Sequence, residues 1–269
     1  MFTTLIVQPI FNLLVLIYAV LPGHNFGLSI IIFTIIIRLL LWPLVKKQLH
    51  QAKLMRKIQP ELKRIAKETK GNRQKQSQMQ MELYKEREIN PFASFLPLLI
   101  QLPIFLSLFI VLKAIVKPGE IAHIVYPFVS HLAPIAEIIK NNAAFHPTLF
   151  GAINLTQASP LLAALAALAQ FVQTKQITPK HTPGDAQAQM MMGMVYVFPA
   201  ITFFIGLSLP SALPLYWFTA SAIAVLQQYL VLKRDVRELE DGTPTPVSTP
   251  APATSQLAHT KHKKKRKKS

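Results

Sequence analysis

One cationic side chain, Arg38, lies inside a long apolar segment, SIIIFTIIIRLLLWPL, and is the residue of this sequence best placed to do chemistry. A charge in hydrocarbon costs about 2.5–3.5 kcal/mol on insertion scales, so an arginine in such a segment usually marks a functional site. The next charged residue, Lys46, follows eight positions later, which is roughly 12 Å along a helix. Two interpretations stay open: an arginine that snorkels with local thinning of the bilayer, or one that faces a wet cavity.

No carboxylate in a neighbouring apolar segment can neutralise Arg38, because none of the long apolar segments contains Asp or Glu. Buried charges are normally paired, so the guanidinium is expected to meet water, polar groups or an acidic group of a partner molecule. Other side chains of the apolar segments are candidates to line such a cavity: Thr34, Gln101, Gln157, Gln170, Tyr216 and Trp217. The chemistry that this set predicts is transient binding of an anionic or polar group.

Covalent catalysis finds no support in the sequence. It contains no G-x-S-x-G, H-E-x-x-H or P-loop motif and no cysteine, and its eight histidines lack the spacing of metal ligands. A protease or transferase would need such groups. We therefore expect no enzyme activity, no catalytic residue, no metal and no cofactor.

The elements that must position Arg38 are predicted to be membrane-spanning helices. The chain is 51% hydrophobic, and its apolar residues form stretches of about twenty, the length that crosses a bilayer core. We predict an all-α integral membrane protein with a five-helix transmembrane core at 26–45, 95–116, 155–173, 190–209 and 213–232. Residues 155–173 give the weakest signal because they are rich in alanine.

Residues 1–25 form a further apolar helix with a polar stripe. Thr4, Gln8 and Asn12 recur every four residues and so share one face. This pattern favours an amphipathic helix on the outer face of the membrane. A sixth span over residues 4–21 stays open.

The distribution of charge predicts the orientation of the chain. The net charge is +17, and the segment Lys46–Asn90 holds thirteen basic and five acidic residues, whereas Pro118–Thr156 holds one lysine and two glutamates. Basic loops stay in the cytoplasm. The N-terminus and the 117–154 loop are therefore expected outside, and the 46–90 segment, the 174–189 loop and the C-terminal tail inside.

The two basic cytoplasmic segments differ in pattern. Within 46–90, Met55, Ile58, Leu62 and Ile65 keep heptad spacing, which favours a basic helical hairpin over a solvated linker. The tail, 233–269, is predicted to be disordered because Pro, Thr, Ser and Ala dominate its middle. It ends in a polycation that is expected to contact RNA phosphates or anionic lipid: Lys263, Lys264, Lys265, Arg266, Lys267 and Lys268.

Four segments together resemble the YidC and Oxa membrane protein insertases. They are QPIFNLL, GLSIIIFTIIIRLLLWPLVKKQ, NPFASFLPLLIQLPIFLSLF and LPSALPLYWFTASAIAVLQQYLVLK, in the order of that family. The resemblance implies a hydrophilic groove, open to cytoplasm and lipid and closed outside, with the basic hairpin at its mouth. It also implies that Arg38 is the groove arginine, Trp217 the tryptophan of the last span and Gln157 a groove glutamine.

The resemblance implies that the protein inserts newly made membrane proteins into the bacterial cytoplasmic membrane and helps them fold. It would act alone or with the Sec translocon, with nascent chains, the ribosome and the lipid bilayer as partners. Two alternatives stay open from the residues: a transporter or channel that binds an anion at Arg38, and a membrane anchor for ribosomes that uses the basic tail.

Overall fold

The computed structural model describes residues 3–69, 71–90, 96–116, 120–178 and 186–241. Contacts divide the chain into two units, Met1–Val231 and Leu232–Ser269. The described residues are mostly helical, as predicted, with one two-stranded antiparallel ribbon of β1 (Thr148–Leu149) and β2 (Ile153–Asn154). Their α-helices are α1 Gln8–Val20, α2 Phe26–Leu40, α3 Trp42–Lys57, α4 Gln59–Glu68, α5 Arg73–Glu86, α6 Leu96–Val116, α7 Glu120–Ile124, α8 Pro127–Ser130, α9 Ala133–Lys140, α10 Pro160–Ile177, α11 Ala186–Gly206 and α12 Ala212–Asp241.

The helices that carry the candidate site begin at recognisable sequence signals. Asn25 caps α2, since its side chain accepts a hydrogen bond from the Leu28 amide at 2.9 Å. Ser159 caps α10 in the same way, and Pro160 occupies the first helical position, where its missing N–H is not needed. The start of α10 therefore lies five residues after Leu155, where the sequence predicted the third span to begin.

A sharp bend separates α2 from α3. The two helices meet at Leu41 at an angle of 64°, whereas the sequence predicted one helix over 26–45. The physical reason is Pro43, which has no N–H to donate to the carbonyl of Leu39 and whose ring crowds that carbonyl. The apolar segment around Arg38 is thus two helices, and Arg38 lies in the last turn of the first.

Helix α12 is longer than the predicted last span. The sequence predicted a span ending at residue 232 and a disordered tail from 233, but the helix continues to Asp241. The added segment contains Leu, Lys, Arg and Glu, which are good helix formers. The polycation at residues 263–268 lies outside the described residues.

Length and composition identify fewer spans than the five predicted. Among the described residues, Thr3–Val20 alone is long and apolar enough to cross a membrane, and α2 with α3 satisfies the same test as a bent pair. Shorter apolar stretches occur at Gln101–Ala114 in α6 and Gly193–Gly206 in α11. The bend at Leu41 and the alanine content of α10 account for part of the difference.

One residue of the predicted polar stripe, Asn12, has its side chain buried in contacts with the protein, whereas Thr4 is exposed. Asn12 is 3% exposed. Its side-chain nitrogen donates to the carbonyls of Gln8 at 2.8 Å and Ile124 at 3.1 Å, and its oxygen accepts from the Tyr126 amide at 2.6 Å. The helix packs against α7, α8 and α9. Asn12 therefore ties α1 to the 117–154 segment, and its polarity needs no exposure to water.

The main hydrophobic core joins α1, α2, α6, the short helices α7 to α9, α10 and α12. Strand β1 packs closely on α2 beside this core. The contact is at Gly27, where a Cβ atom would lie 2.9 Å from the backbone Cα of Leu149. Glycine is needed there because no side chain fits.

The basic segment 46–90 has a small core of its own. Met55, Ile58, Leu62 and Ile65, whose heptad spacing predicted helical packing, are all buried together with Leu83, Tyr84 and Ile89. A solvated linker would leave them exposed, so that alternative is wrong. Its charged side chains form surface pairs, such as Arg87 with Glu61 at 3.0 Å. The guanidinium of Arg56 donates to the carbonyl of Gln176, which joins this segment to the end of α10.

Candidate functional site

Arg38 is held in the last turn of α2 with its side chain half-buried. Among the residues that the structure describes, its guanidinium has neither an ion-pair partner nor a hydrogen-bond acceptor. The neighbouring polar group is Tyr216 of α12, which interacts electrostatically with Arg38 and lies near the Gln101 side chain of α6. The cation therefore has a polar environment without a counter-charge.

Arg38 lies at a partly open cavity of about 210 Å³ between α2, α3, α6, α10, α11 and α12. This volume has room for several water molecules, and the site is polar enough to hold them. Apolar side chains such as Ile37, Leu44 and Phe198 form part of the wall. The polar lining residues are Thr34, Arg38, Gln48, Gln101, Gln170, Gln173, Thr174, Thr178, Tyr216 and Ser221.

The cavity brings together most of the residues that the sequence singled out. Thr34, Arg38, Gln101, Tyr216 and Trp217 all line it, and so does Gln170. These six come from α2, α6, α10 and α12, which are far apart in the chain but meet around one space.

Gln157 is the predicted site residue that the structure does not bring to the cavity. Its side chain is exposed in the turn that precedes α10. Its carbonyl accepts a hydrogen bond from the Ser211 amide at 2.8 Å, so its described contact is structural. The prediction placed Gln157 in a span that begins at residue 155, whereas α10 begins at Pro160, so Gln157 lies in the turn before the helix; its role in a groove stays a prediction.

Several lining residues escaped the sequence analysis, including Gln48, Thr174, Thr178 and Ser221. A signal was present on α10, since Gln170, Thr174 and Thr178 follow one another at intervals of four residues and therefore share a face. The Thr174 hydroxyl donates to the Gln170 carbonyl and the Thr178 hydroxyl to the Thr174 carbonyl, both at 2.8 Å. Their oxygens remain available as acceptors, for instance for water.

The electrostatics of the cavity favour an anion. Within the part of the chain that the structure describes, Arg38 is the one formally charged residue that lines the cavity, and no Asp or Glu lines it. A guanidinium offers five N–H donors in a planar fork that matches a carboxylate. The arrangement can hold an acidic or polar group without any covalent step.

An aromatic stack lies behind Trp217, which lines the cavity. The Trp217 ring lies on the Phe105 ring with centroids 5.4 Å apart and planes within 8°. Phe105 in turn stacks with Phe109 at 6.4 Å, and the Lys113 ammonium lies 4.4 Å from the centre of the Phe109 ring. The Trp217–Phe105 contact joins α6 to α12 on one side of the cavity, and the other two contacts lie within α6.

A polar contact between α10 and α11 supports the opposite side, and it can be tested. Buried Thr202 donates its hydroxyl hydrogen to the side-chain oxygen of Gln170. Thr202→Val removes that bond and is expected to lower the free energy of unfolding by about 0.6–1.7 kcal/mol, the range for hydrogen bonds between membrane helices. Denaturant unfolding in detergent would measure it.

The matched control is Thr219→Val. Thr219 is buried to the same degree, but its hydroxyl donates to the Leu215 carbonyl of its own helix. This change is expected to be closer to neutral. Equal losses for the two variants would contradict a role for the Thr202–Gln170 bond in holding α10 to α11.

Comparison with known proteins now identifies the family. The family model described as 60Kd inner membrane protein matches residues 16–238, a range that contains the whole cavity. The chain belongs to this family. Membership places it in a bacterial inner membrane and confirms the resemblance that the four sequence segments indicated.

Relatives in this family carry the name membrane protein insertase YidC. The protein of Fusobacterium nucleatum is 35% identical over 210 residues, which cover 78% of this chain and 87% of the relative. Those of Syntrophobacter fumaroxidans and a Janthinobacterium species are 31% and 34% identical over 77% and 86% of this chain. This chain spans only 34% and 38% of the length of those two relatives.

Proposed function

We propose that this protein is a membrane insertase, which places newly made membrane proteins into the bilayer by way of the cavity around Arg38. The observation that carries the proposal is a guanidinium that has no ion-pair partner, in a polar cavity that has no carboxylate in its lining, both among the described residues. The names of the relatives support the same function. Helping inserted proteins to fold is part of the proposal.

The first step is capture of the polar tail that the substrate must send across the membrane. A charged group at the centre of a bilayer costs about 2.5–3.5 kcal/mol or more, and the cost falls when water and polar groups reach partway across. The cavity is a polar space that holds water partway across the bilayer. In it Arg38 can form a transient ion pair with a substrate carboxylate. Polar side chains on several helices, such as Gln101 and Gln170, solvate the tail without binding it tightly.

The second step is release of the apolar substrate helix into lipid. Burial of each methylene stabilises the inserted state by about 0.8 kcal/mol, so a substrate span supplies its own driving force and no nucleotide is required. Helices α10 and α12 expose large apolar side chains along which such a helix can slide, including Leu161 and Leu168 on the former and Leu226 on the latter. The protein acts in this scheme without covalent catalysis or a cofactor.

The proposal includes the topology predicted from charge. A five-span core, with residues 1–25 on the outer face and the tail in the cytoplasm, puts the basic segment 46–90 on the side from which nascent chains arrive. The packing of α1 against α7, α8 and α9 supports a common side for these elements. The ribosome, through the polycation at 263–268, and a Sec channel are the proposed partners.

Reconstitution tests the function directly. The purified chain in lipid vesicles should raise the fraction of a single-span substrate that becomes protease-protected, compared with empty vesicles. In the same membranes, a photocrosslinker at Ser221 in the cavity should capture a ribosome-stalled nascent chain, and one at exposed Phe150 in the β1–β2 turn should not.

Two results would redirect the proposal. Chloride flux through these vesicles without any substrate, and no gain in protected substrate, would favour the anion channel. Crosslinks that depend on residues 263–268 but never form from the cavity would favour a ribosome anchor.

A further inference from the structure

The carbonyl of Arg38 has an unusual hydrogen-bond donor. Because α2 ends at Leu40, this carbonyl is one of the last four of the helix, which lack a donor within the helix. The side-chain nitrogen of Gln227, on α12, donates to it at 3.2 Å. Gln227 is 189 positions away in the chain and 2% exposed. The buried amide of Gln227 thus supplies a hydrogen-bond donor to a carbonyl at the end of α2, the helix that carries Arg38.

The orientation of the Gln227 amide follows from this contact. A backbone carbonyl only accepts, so the nitrogen must face Arg38 and the oxygen must point away. That oxygen is buried and has no hydrogen-bond partner in the described part of the chain. An unpaired buried acceptor is destabilising, and a methionine of similar length would avoid it. The hydrogen bond from the Gln227 nitrogen to the Arg38 carbonyl offsets the destabilisation that the unpaired Gln227 oxygen causes.

The location of the bond connects it to the geometry of the cavity. It is made by the backbone of the same residue whose side chain carries the guanidinium, three positions before the 64° bend at Leu41. The end of a helix next to a proline bend is held by few backbone bonds, so its last turn can rotate or fray. A donor from α12 restrains that turn relative to Tyr216 and Trp217, which lie on the same helix as Gln227 and line the cavity.

We propose that Gln227 is a positioning residue, which fixes the last turn of α2 so that the Arg38 side chain faces the cavity. This proposal rests on the proposed function, in which Arg38 receives an acidic group of the substrate. Gln227 itself does not touch the substrate in this account, and it acts through the Arg38 backbone.

Gln227→Met tests the proposal, and Gln228→Met is its matched control. Gln228 is the next residue and is equally buried at 4% exposure, but it donates no hydrogen bond to α2. The natural chain has no cysteine, so single cysteines can be introduced at position 38 or 101 and labelled with a water-soluble thiol reagent. Both positions line the cavity and are partly exposed, but position 101 lies on α6, which does not contain the bend.

In the Arg38→Cys background, which keeps the carbonyl at that position, Gln227→Met is expected to change the labelling rate roughly threefold to tenfold, the factor of one hydrogen bond. Labelling of Gln101→Cys should change less than about twofold, and Gln228→Met should leave both rates unchanged. With Arg38 present, Gln227→Met should also lower the ratio of acidic-tail to neutral-tail insertion by a similar factor.

Equal labelling at position 38 in the Gln227→Met and Gln228→Met chains would overturn the proposal. Gln227→Asn, which shortens the amide by one methylene, gives a second test with the same expected shift in case the methionine variant misfolds. Failure of the proposed function would look different. Labelling at position 38 would still respond to Gln227→Met, but even Arg38→Ala would leave the acidic-to-neutral ratio unchanged.

Discussion

Replacing Arg38 with alanine is expected to lower insertion of a single-span substrate with an acidic outer tail by roughly 10- to 100-fold. A hydrogen bond to a charged group contributes about 1.5–3 kcal/mol, and each 1.4 kcal/mol corresponds to a factor of about ten. Among the described residues that line the cavity Arg38 is the one formally charged group, so none of them can replace it. The measurement is the protease-protected fraction of substrate in vesicles that contain the variant.

The comparison between substrates and variants makes this prediction specific. A second substrate carries asparagine in place of aspartate in its tail. The Arg38→Ala protein should insert this substrate within about twofold of the level that the unchanged protein reaches, because no ion pair is lost. Arg38→Lys keeps the charge and should retain part of the activity on the acidic tail, although it loses the planar fork. Lys46→Ala removes an exposed cation outside the cavity and serves as the control. If Arg38→Ala impaired both tails equally, the electrostatic role of the cavity would be refuted.

The second large effect is expected on stability, at Gly27. Gly27→Ala would place a Cβ atom 2.5 Å from the Leu149 Cδ1 atom and 2.9 Å from its Cα atom. The first contact can relax by a side-chain movement, but the second involves backbone and requires β1 to move away from α2. Overpacking of this kind lowers the free energy of unfolding by about 1–3 kcal/mol. Thermal or denaturant unfolding in detergent would measure the loss.

Gly193→Ala is the matched control for Gly27→Ala. Gly193 also lies in a helix, α11, but a Cβ atom there would meet nothing within 4 Å. In a helix alanine is favoured over glycine by up to about 1 kcal/mol, so this variant should be neutral or stabilising. The two changes are therefore expected to have opposite signs. Combining Gly27→Ala with Leu149→Ala should restore only part of the stability, since the backbone contact remains. A neutral Gly27→Ala would mean that the β1 ribbon does not pack on α2 as described.

The sequence predicted the central feature of the site because that feature is local. A single cation in an apolar run, without carboxylates in the other runs, is visible without any tertiary information. Thr34 is one turn from Arg38, so its presence at the cavity follows from helix geometry alone. Gln101, Tyr216 and Trp217 were found because polar and aromatic groups are conspicuous in apolar segments.

The failures of prediction have tertiary or boundary causes. Gln157 was placed in a helix because hydropathy cannot show that Ser159 and Pro160 begin α10 later. The bend at Leu41 was missed because Pro43 lies near the end of the apolar segment. A proline there is compatible with the end of a helix as well as with a bend between two helices. Asn12 was predicted only as part of a polar face of an interfacial helix, since nothing in its own helix indicates that it will bond to Ile124 and Tyr126. The bond from Gln227 to Arg38 depends on the relative rotation of two helices, which no periodicity reveals.

The stacked pair of Trp217 and Phe105 has a practical consequence. The chain contains two tryptophans, and the other, Trp42, lies at the bend beside Lys46 rather than on the cavity wall. Trp42→Phe leaves Trp217 as the single tryptophan, and the wavelength of its fluorescence maximum depends on how far the indole is exposed to water. Trp217 is therefore an intrinsic fluorescence probe of the cavity. Binding of a substrate tail that carries bromine can be followed in real time as a decrease of its fluorescence, without an attached dye.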